Sequence, residues 1–214
     1  RDKRTGFTTP PQLTPASLLS FALHPAWTLN FLLRDKFELA ELKDYSPAGS
    51  NVSISVQDYF THHLDNAMSW KDAENLRAQW AGPFCLKGIM SVEDAKRAVD
   101  IGASAIMISN HGGRQLDGSR APFDQVVEIC DAVGEKLDVI VDGGIRRGSH
   151  VVKALAAGAK ACSGGRMYLY ALAGGGQAGV EMALGNMRKE IERDMRLMGV
   201  SSVQELNRDM LRWR

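Results

Sequence analysis

Between Gly82 and Gly165, short apolar runs alternate with longer stretches in which apolar and polar residues follow a helical spacing. Pro83–Lys87 is the first apolar run, closed by Gly88. Ser91 then stands where a helix cap belongs, with Asp94 at the capping-box position and Gly102 as a stop beyond Asp100, so a helix is predicted between them. Ala103–Ser109 is the second run, and the loop Asn110–Pro122 separates it from a helical stretch, Phe123–Val133, ending at Gly134. Val139–Val141 leads into Asp142-Gly143-Gly144, a helix is predicted from about Gly148 to Ala157, and Lys160–Ser163 is the fourth run. The residues after Gly165 read as helices to the end.

Strands and helices alternating at this spacing build βαβ units on a parallel sheet. Polar, chemically useful residues stand at the end of every run, as in a (β/α) barrel, whereas a doubly wound sheet gathers them at one switch point. Four such units are half of a barrel, which takes about 250 residues. The predicted fold is therefore α/β, the C-terminal half of a TIM (β/α)8 barrel (about strands 5 to 8), over residues 70–214. Half a barrel leaves two open strand edges and an apolar face toward water, so the pattern itself predicts further strands beyond these.

Residues 1–69 follow a different pattern and read as a long loop or insertion. Leu13–Leu33 is rich in Leu, Phe, Ala and Trp but is broken by Pro15, Pro25 and Asn30. Thr14-Pro15 has the form of a helix start, and His24-Pro25 that of a break and restart. A membrane span needs roughly 20 largely uninterrupted apolar residues. Two short helices are expected instead, lying on a membrane surface or packed on the barrel as a lid or subunit contact. Asp44–Ser55 has the polar, Gly/Ser/Pro-bearing composition of a mobile loop. Trp70–Trp80 reads as the helix leading into the first strand. The opening RDKRTGF, charged and without a Met or an apolar signal core, reads as the interior of a longer protein.

Composition adds exclusions. The 214 residues carry 26 Lys plus Arg against 25 Asp plus Glu, which gives no reason to expect a nucleic-acid partner. The 44% of apolar residues suffices for one sizeable core. Cys85, Cys130 and Cys162 fall in no CxxC or Cys/His ligand spacing and read as free thiols of a cytoplasmic protein, with no metal site. Arg188–Arg196 mixes charge signs and reads as a solvated helix face.

The richest stretch runs Ser109-Asn110-His111-Gly112-Gly113-Arg114-Gln115-Leu116-Asp117-Gly118, directly after the second strand. An imidazole is suited to take a proton near neutral pH, and a guanidinium holds a carboxylate through two hydrogen bonds. A base beside a carboxylate clamp serves chemistry at the carbon next to a carboxylate. On these residues alone, a glycine-rich loop with a satisfied His is also readable. Asp142-Gly143-Gly144-Ile145-Arg146 and Gly164-Gly165-Arg166 end the last two strands and precede helices. Glycine plus arginine at both places suits a phosphate, which barrels bind in the loops after strands seven and eight, although glycines also serve tight turns. Lys87 closes the first strand and is placed either to put a charge near an electron-rich cofactor or to be solvated.

SNHGGRQLDG, with LKGI before it and VDGGIRRG and GGRMYLYAL after it, resembles the FMN-dependent 2-hydroxy-acid dehydrogenase and oxidase family from Trp70 onward. That family includes L-lactate dehydrogenases, mandelate dehydrogenase and glycolate oxidase. The resemblance implies FMN-dependent oxidation of a lactate-like L-2-hydroxy acid to the 2-oxo acid, with His111 as the base and Arg114 on the substrate carboxylate. It implies that Lys87 and Ser109 meet the flavin ring. Asp142, Gly143, Gly144, Ile145 and Arg146 would line the ribityl-phosphate path, and Gly165 and Arg166 would complete the phosphate pocket. The family's His-orienting Asp, substrate-facing tyrosines and second substrate Arg have no counterpart in this sequence. That leaves two readings: an enzyme half that needs the rest of the barrel, or a non-catalytic remnant that at most holds FMN or another phosphate-bearing ligand. Leu13–Leu33 resembles the membrane-contacting loop of bacterial respiratory L-lactate dehydrogenases. This implies electron transfer to a quinone or cytochrome, peripheral contact with the inner face of the bacterial membrane, and a homo-oligomer in the full-length form. Ser163 and Met167 depart from the apolar residue and the Pro usual at those places.

Overall fold

A computed structural model describes residues 14–33, 65 and 67–213. The chain divides into two compact units, Arg1–Met68 and Ser69–Arg214. In the first, α1 spans Pro15–Leu23 and α2 spans Pro25–Leu33, bent 99° from one another. The Thr14 hydroxyl caps α1 by accepting the Ser17 N–H at 3.2 Å, while the Ser17 hydroxyl accepts the Thr14 N–H at 2.8 Å. At the break, the Phe21 carbonyl accepts both the His24 N–H (3.2 Å) and the Thr28 hydroxyl (2.8 Å), so the corner keeps its backbone satisfied. Phe21, Trp27 and Phe31 stack in sequence, with ring centroids 5.6 and 5.2 Å apart. Leu18, Leu19, Leu23, Leu29, Leu32 and Leu33 are all more than half exposed. Among the described residues, no single helix is long and apolar enough to cross a membrane. The expectations for Asp44–Ser55 and for the opening RDKRTGF fall outside the described residues.

The second unit runs α3 (Trp70–Gln79), β1 (Cys85–Lys87), α4 (Val92–Asp100), β2 (Ala105–Ser109), α5 (Val126–Val133), β3 (Asp138–Asp142), α6 (Gly148–Ala156), β4 (Ala161–Ser163) and α7 (Arg166–Leu197), the last kinked where Gly175 and Gly176 leave helical geometry. The four strands are parallel and lie in the order β1-β2-β3-β4. Each strand sits beside its successor, so the order never reverses and has no switch point, as for consecutive strands of a barrel.

Three local expectations change. Ser91 caps α4 through the Asp94 N–H at 3.1 Å, but Asp94 makes no return bond to complete a box and instead approaches Arg97 at 4.0 Å. Phe123–Val133 divides into a 3-10 turn, Pro122–Gln125, followed by α5. The tail is not helical to the end. Gly199 turns left-handed (φ 71) after α7, and the Ser202 and Asn207 side chains bond to nearby backbone N–H groups, giving two 3-10 turns in place of a helix.

One sheet face is dry. Ile106, Ile108, Val139 and Val141 are almost fully buried against Val126, Ile129 and Val133 of α5, Ala95 and Ala98 of α4, and Ala154 of α6. On the other face the register aligns Lys87, Met107, Ile140 and Ala161 in one row, with Ser109, Asp142 and Ser163 two residues further on. There Met107 and Ile140 are only half-buried and Ala161 is exposed. This is the open apolar face predicted for part of a barrel.

The charge run Arg188–Arg196 is more than a solvated face. Arg188 pairs with Glu192 at the surface (2.9 Å), but Glu190 accepts the Gly148 N–H at 2.7 Å and pairs with Arg147 at 3.0 Å. A Cβ on Gly148 would lie 2.5 Å from the Glu190 Cβ, so α6 begins at a point where no side chain fits. Glu190 thereby satisfies a free N–H of the α6 start and fixes α6 against α7.

Candidate active site

The register carries Ser109, Asp142 and Ser163 to adjacent places at the C-terminal ends of β2, β3 and β4. Lys87, one row back, extends its side chain over to them. The buried Ser109 hydroxyl donates to Asp142 Oδ2 at 2.5 Å and accepts from Lys87 Nζ at 2.7 Å and from the His111 N–H at 3.1 Å. Its one proton and both lone pairs are thus used within the protein. Lys87 Nζ also donates to Asp142 Oδ2 at 2.9 Å. Burial pushes the Asp142 carboxyl up, but hydrogen bonds from Ser109, Lys87 and Ser163 and the charge of Lys87 together outweigh it and hold the group below its ordinary value. The charge that Lys87 presents is that of an ion pair, weaker than the bare cation its sequence position suggests.

Beyond β2 the chain makes a left-handed turn, with φ 58 at His111, 67 at Gly112 and 70 at Gly113. Among the described residues His111 alone has a positive φ without being glycine, a conformation that costs about 1–2 kcal/mol. The Asn110 side chain caps this turn by accepting the Gly113 N–H at 3.1 Å.

A cavity of about 740 Å³ opens above these strand ends, within the range of small-molecule and cofactor sites. Lys87, His111 and Arg114 line it, together with Asp142, Gly143, Gly144, Ile145 and Arg146, and Gly165 and Arg166 on the far side. Ser109 is not on its wall; it lies behind, bonded to Lys87 and Asp142. Arg166 Nη2 donates to the Gly112 carbonyl at 2.6 Å, tying the β4 loop to the left-handed turn. Gly165 stands at the N-terminus of α7, where unpaired N–H groups and the helix dipole favour an anion.

Sequence reasoning missed His150 and Lys153, which line the same cavity from α6 three residues apart. His150 Nδ1 lies 2.9 Å from the Gly144 carbonyl and 3.2 Å from the Arg146 N–H, so it closes the turn between them in either tautomer. Their place on a helix directly after a Gly-Arg loop was the available signal. Pro122 and Phe123, the apolar wall of the cavity, were also missed. The cysteines take no part. Burial pushes the Cys130 and Cys162 thiols up to about 11, so neither is a nucleophile near neutral pH.

The depressed Asp142 carboxyl gives a signed pH prediction. Its ionised form stabilises the fold above the ordinary value of 3.8, and that contribution is lost as the pH falls below it toward the lower folded value. Asp142→Asn is therefore expected to melt below the parent at neutral pH, with the gap closing as the pH drops below 3.8. Thermal midpoints of both proteins across the acid range check this; a gap that stays constant contradicts it.

Comparison with known proteins fits this geometry. A family model described as FMN-dependent dehydrogenase matches residues 1–213. The chain is 42% identical over 195 residues to an L-lactate dehydrogenase of Azorhizobium caulinodans, covering 91% of this chain and 51% of that protein. It is 52% identical over 138 residues to a Pre-mycofactocin synthase of Mycolicibacterium smegmatis, covering 64% of this chain and 35% of that one. Its structure is similar, with a TM-score of 0.91 and 32% identity, to the monotopic membrane protein (S)-mandelate dehydrogenase, covering 99% of this chain and 55% of that one. The chain spans about half the length of the L-lactate and mandelate dehydrogenases it matches, and its sheet is a partial barrel. With a match along nearly the whole sequence and a strand-end cavity of this construction, the chain belongs to the FMN-dependent dehydrogenase family.

Proposed function

We propose that the protein takes part in the FMN-dependent oxidation of a small, lactate-like L-2-hydroxy acid to the 2-oxo acid. The observation that carries this reading is that one cavity, at the ends of adjacent strands, holds His111, Arg114 and both Gly-Arg loops. The residues fit FMN. Arg146, Arg166 and the α7 N-terminus suit its phosphate, and a Cβ on Gly144 or Gly165 would meet nothing within 4 Å, which leaves open space along both loops. Lys87, paired with Asp142, is the group to meet the flavin ring.

When bound, FMN supplies the two-electron acceptor. Arg114 holds the substrate carboxylate in its planar fork. His111 takes a proton from the substrate, from the hydroxyl oxygen if hydride leaves the α-carbon or from the α-carbon if the proton leaves first. The left-handed turn fixes where the imidazole begins, and the Ser109 hydroxyl holds the His111 N–H. Relatives named for L-lactate and mandelate support a hydroxy acid. The higher identity to Pre-mycofactocin synthase, over 138 residues, favours a second reading, in which the same base and clamp act on another substrate.

We also propose that α1 and α2 rest on a lipid surface, which suits a membrane-bound acceptor such as a quinone or a cytochrome. Their exposed leucines and stacked aromatics, and the similarity to a protein described as monotopic in the membrane, support this. Residues 14–33 contain no Lys, Arg, Asp or Glu, so the contact is apolar and not electrostatic.

Two experiments follow. With the remaining strands of the barrel supplied, protein loaded with FMN and mixed with L-lactate without oxygen is expected to lose its flavin absorbance, and His111→Gln to slow that loss by about 10²–10⁴-fold. Retained flavin that lactate leaves oxidised favours the second reading, and failure to take up FMN sinks both. For the lipid contact, co-sedimentation with neutral phosphatidylcholine vesicles is expected and should persist in high salt. Binding confined to anionic vesicles and reversed by salt would rule out an apolar contact.

A further inference from the structure

The ten residues from His111 to Arg120 carry both the base and the clamp, yet few bonds hold them. From Arg114 to Ser119 the one hydrogen bond among the described residues is local, from the Gly118 N–H to the Asp117 carboxylate. The ends of the loop are better fixed. Asn110 Oδ1 and the Asn110 carbonyl each accept the Gly113 N–H at 3.1 Å, closing the left-handed turn. Asn110 Nδ2 donates to the Arg120 carbonyl at 3.1 Å, drawing the far end of the loop back to the end of β2. Arg120 in turn reaches Glu128 of α5 at 3.0 Å and the Asp124 carbonyl at 3.3 Å. The amide of one side chain therefore joins the first turn of the loop to its exit and, through Arg120, to a helix of the core.

We infer that Asn110 is a positioning residue, whose amide holds the loop closed so that His111 and Arg114 face the cavity together. The inference rests on the reading of His111 and Arg114 as base and clamp. An amide is the fitting side chain for this task. It offers an acceptor to Gly113 and a donor to Arg120 at once, whereas a carboxylate offers acceptors alone and a methyl offers neither. Closure also opposes relaxation at His111, whose left-handed backbone would otherwise return to an ordinary conformation.

The test compares the FMN-loaded protein with Asn110→Ala and Asn110→Asp. Trypsin cuts after arginine, so Arg114 and Arg120 report opening of the loop directly. Asn110→Ala is expected to raise cleavage at these two sites roughly tenfold. Asn110→Asp, which keeps the acceptor and loses the donor, should fall between Ala and parent. Oxalate, a small dicarboxylate probe of the Arg114 clamp, read through the flavin spectrum, should bind roughly tenfold more weakly to Asn110→Ala. FMN affinity should fall less than oxalate affinity, since the Gly-Arg loops belong to β3 and β4 and reach the turn through the Arg166–Gly112 bond. Parent-like cleavage and parent-like oxalate affinity in Asn110→Ala would overturn the inference. So would cleavage spread along the whole chain in both variants, because Asn110 would then be needed for folding and not for the turn. If oxalate leaves the parent's flavin spectrum untouched, the clamp reading of Arg114 fails, and cleavage at Arg114 and Arg120 still decides whether Asn110 holds the loop.

Discussion

The buried hydroxyl of Ser109 is the joint on which the rest of the site depends. It donates to Asp142 and accepts from Lys87 and the His111 N–H, so one oxygen connects the ends of three strands with the start of the turn that carries His111. A buried hydroxyl with any of these bonds missing would cost more than the bond itself contributes, because the group left behind would be desolvated and unpaired. The bonds in turn require the register in which Ser109 lies opposite Asp142. A slip of one residue in a parallel strand turns every side chain to the other face, which would bury the polar row and bring Ile108 and Val141 to the cavity side. The apolar packing of these two residues against the helices therefore also fixes the chemistry.

The same sheet shows what the helices do and what they leave undone. On one face the isoleucines and valines of β2 and β3 disappear beneath α4, α5 and α6. On the other, Met107 and Ile140 stay half-buried, one row back from the strand ends that carry the site. In a complete barrel that face is filled by layers of side chains from alternate strands. The chain spans about half the length of its lactate and mandelate dehydrogenase relatives, and the open face is the physical counterpart of that fraction.

Much of this was legible in the sequence because its signals are local. Glycines at Gly88 and Gly102 adopt positive φ and punctuate the elements where the pattern put the stops. Caps at Thr14 and Ser91 form with partners three residues away. Strand ends collected His111, Arg114, Arg146 and Arg166 in one cavity, since consecutive parallel strands present their C-terminal ends on one side. What escaped depends on pairings across long separations. Glu190 looked like part of a solvated run, yet it lies 42 residues from the Gly148 N–H that it accepts. Asn110 reads as a loop residue until the fold brings Arg120 back to it. His150 and Lys153 belong to a helix pattern whose inward face the sequence does not orient. The tail failed for a different reason: Ser202 and Asn207 compete for the backbone hydrogen bonds that a helix would need.

On this reading Ser109 and Asp142 act as one unit in shaping the cavity proposed for FMN. A double-mutant cycle on FMN affinity tests it most directly, using Ser109→Ala, Asp142→Asn and the two combined, each titrated by quenching of flavin fluorescence. Each single change is expected to weaken binding, and the double change to weaken it little further than the worse single one, because either substitution already breaks the shared network. Losses that add up independently would contradict it and would make the Ser109–Asp142 hydrogen bond a neighbour of the site without a part in building it.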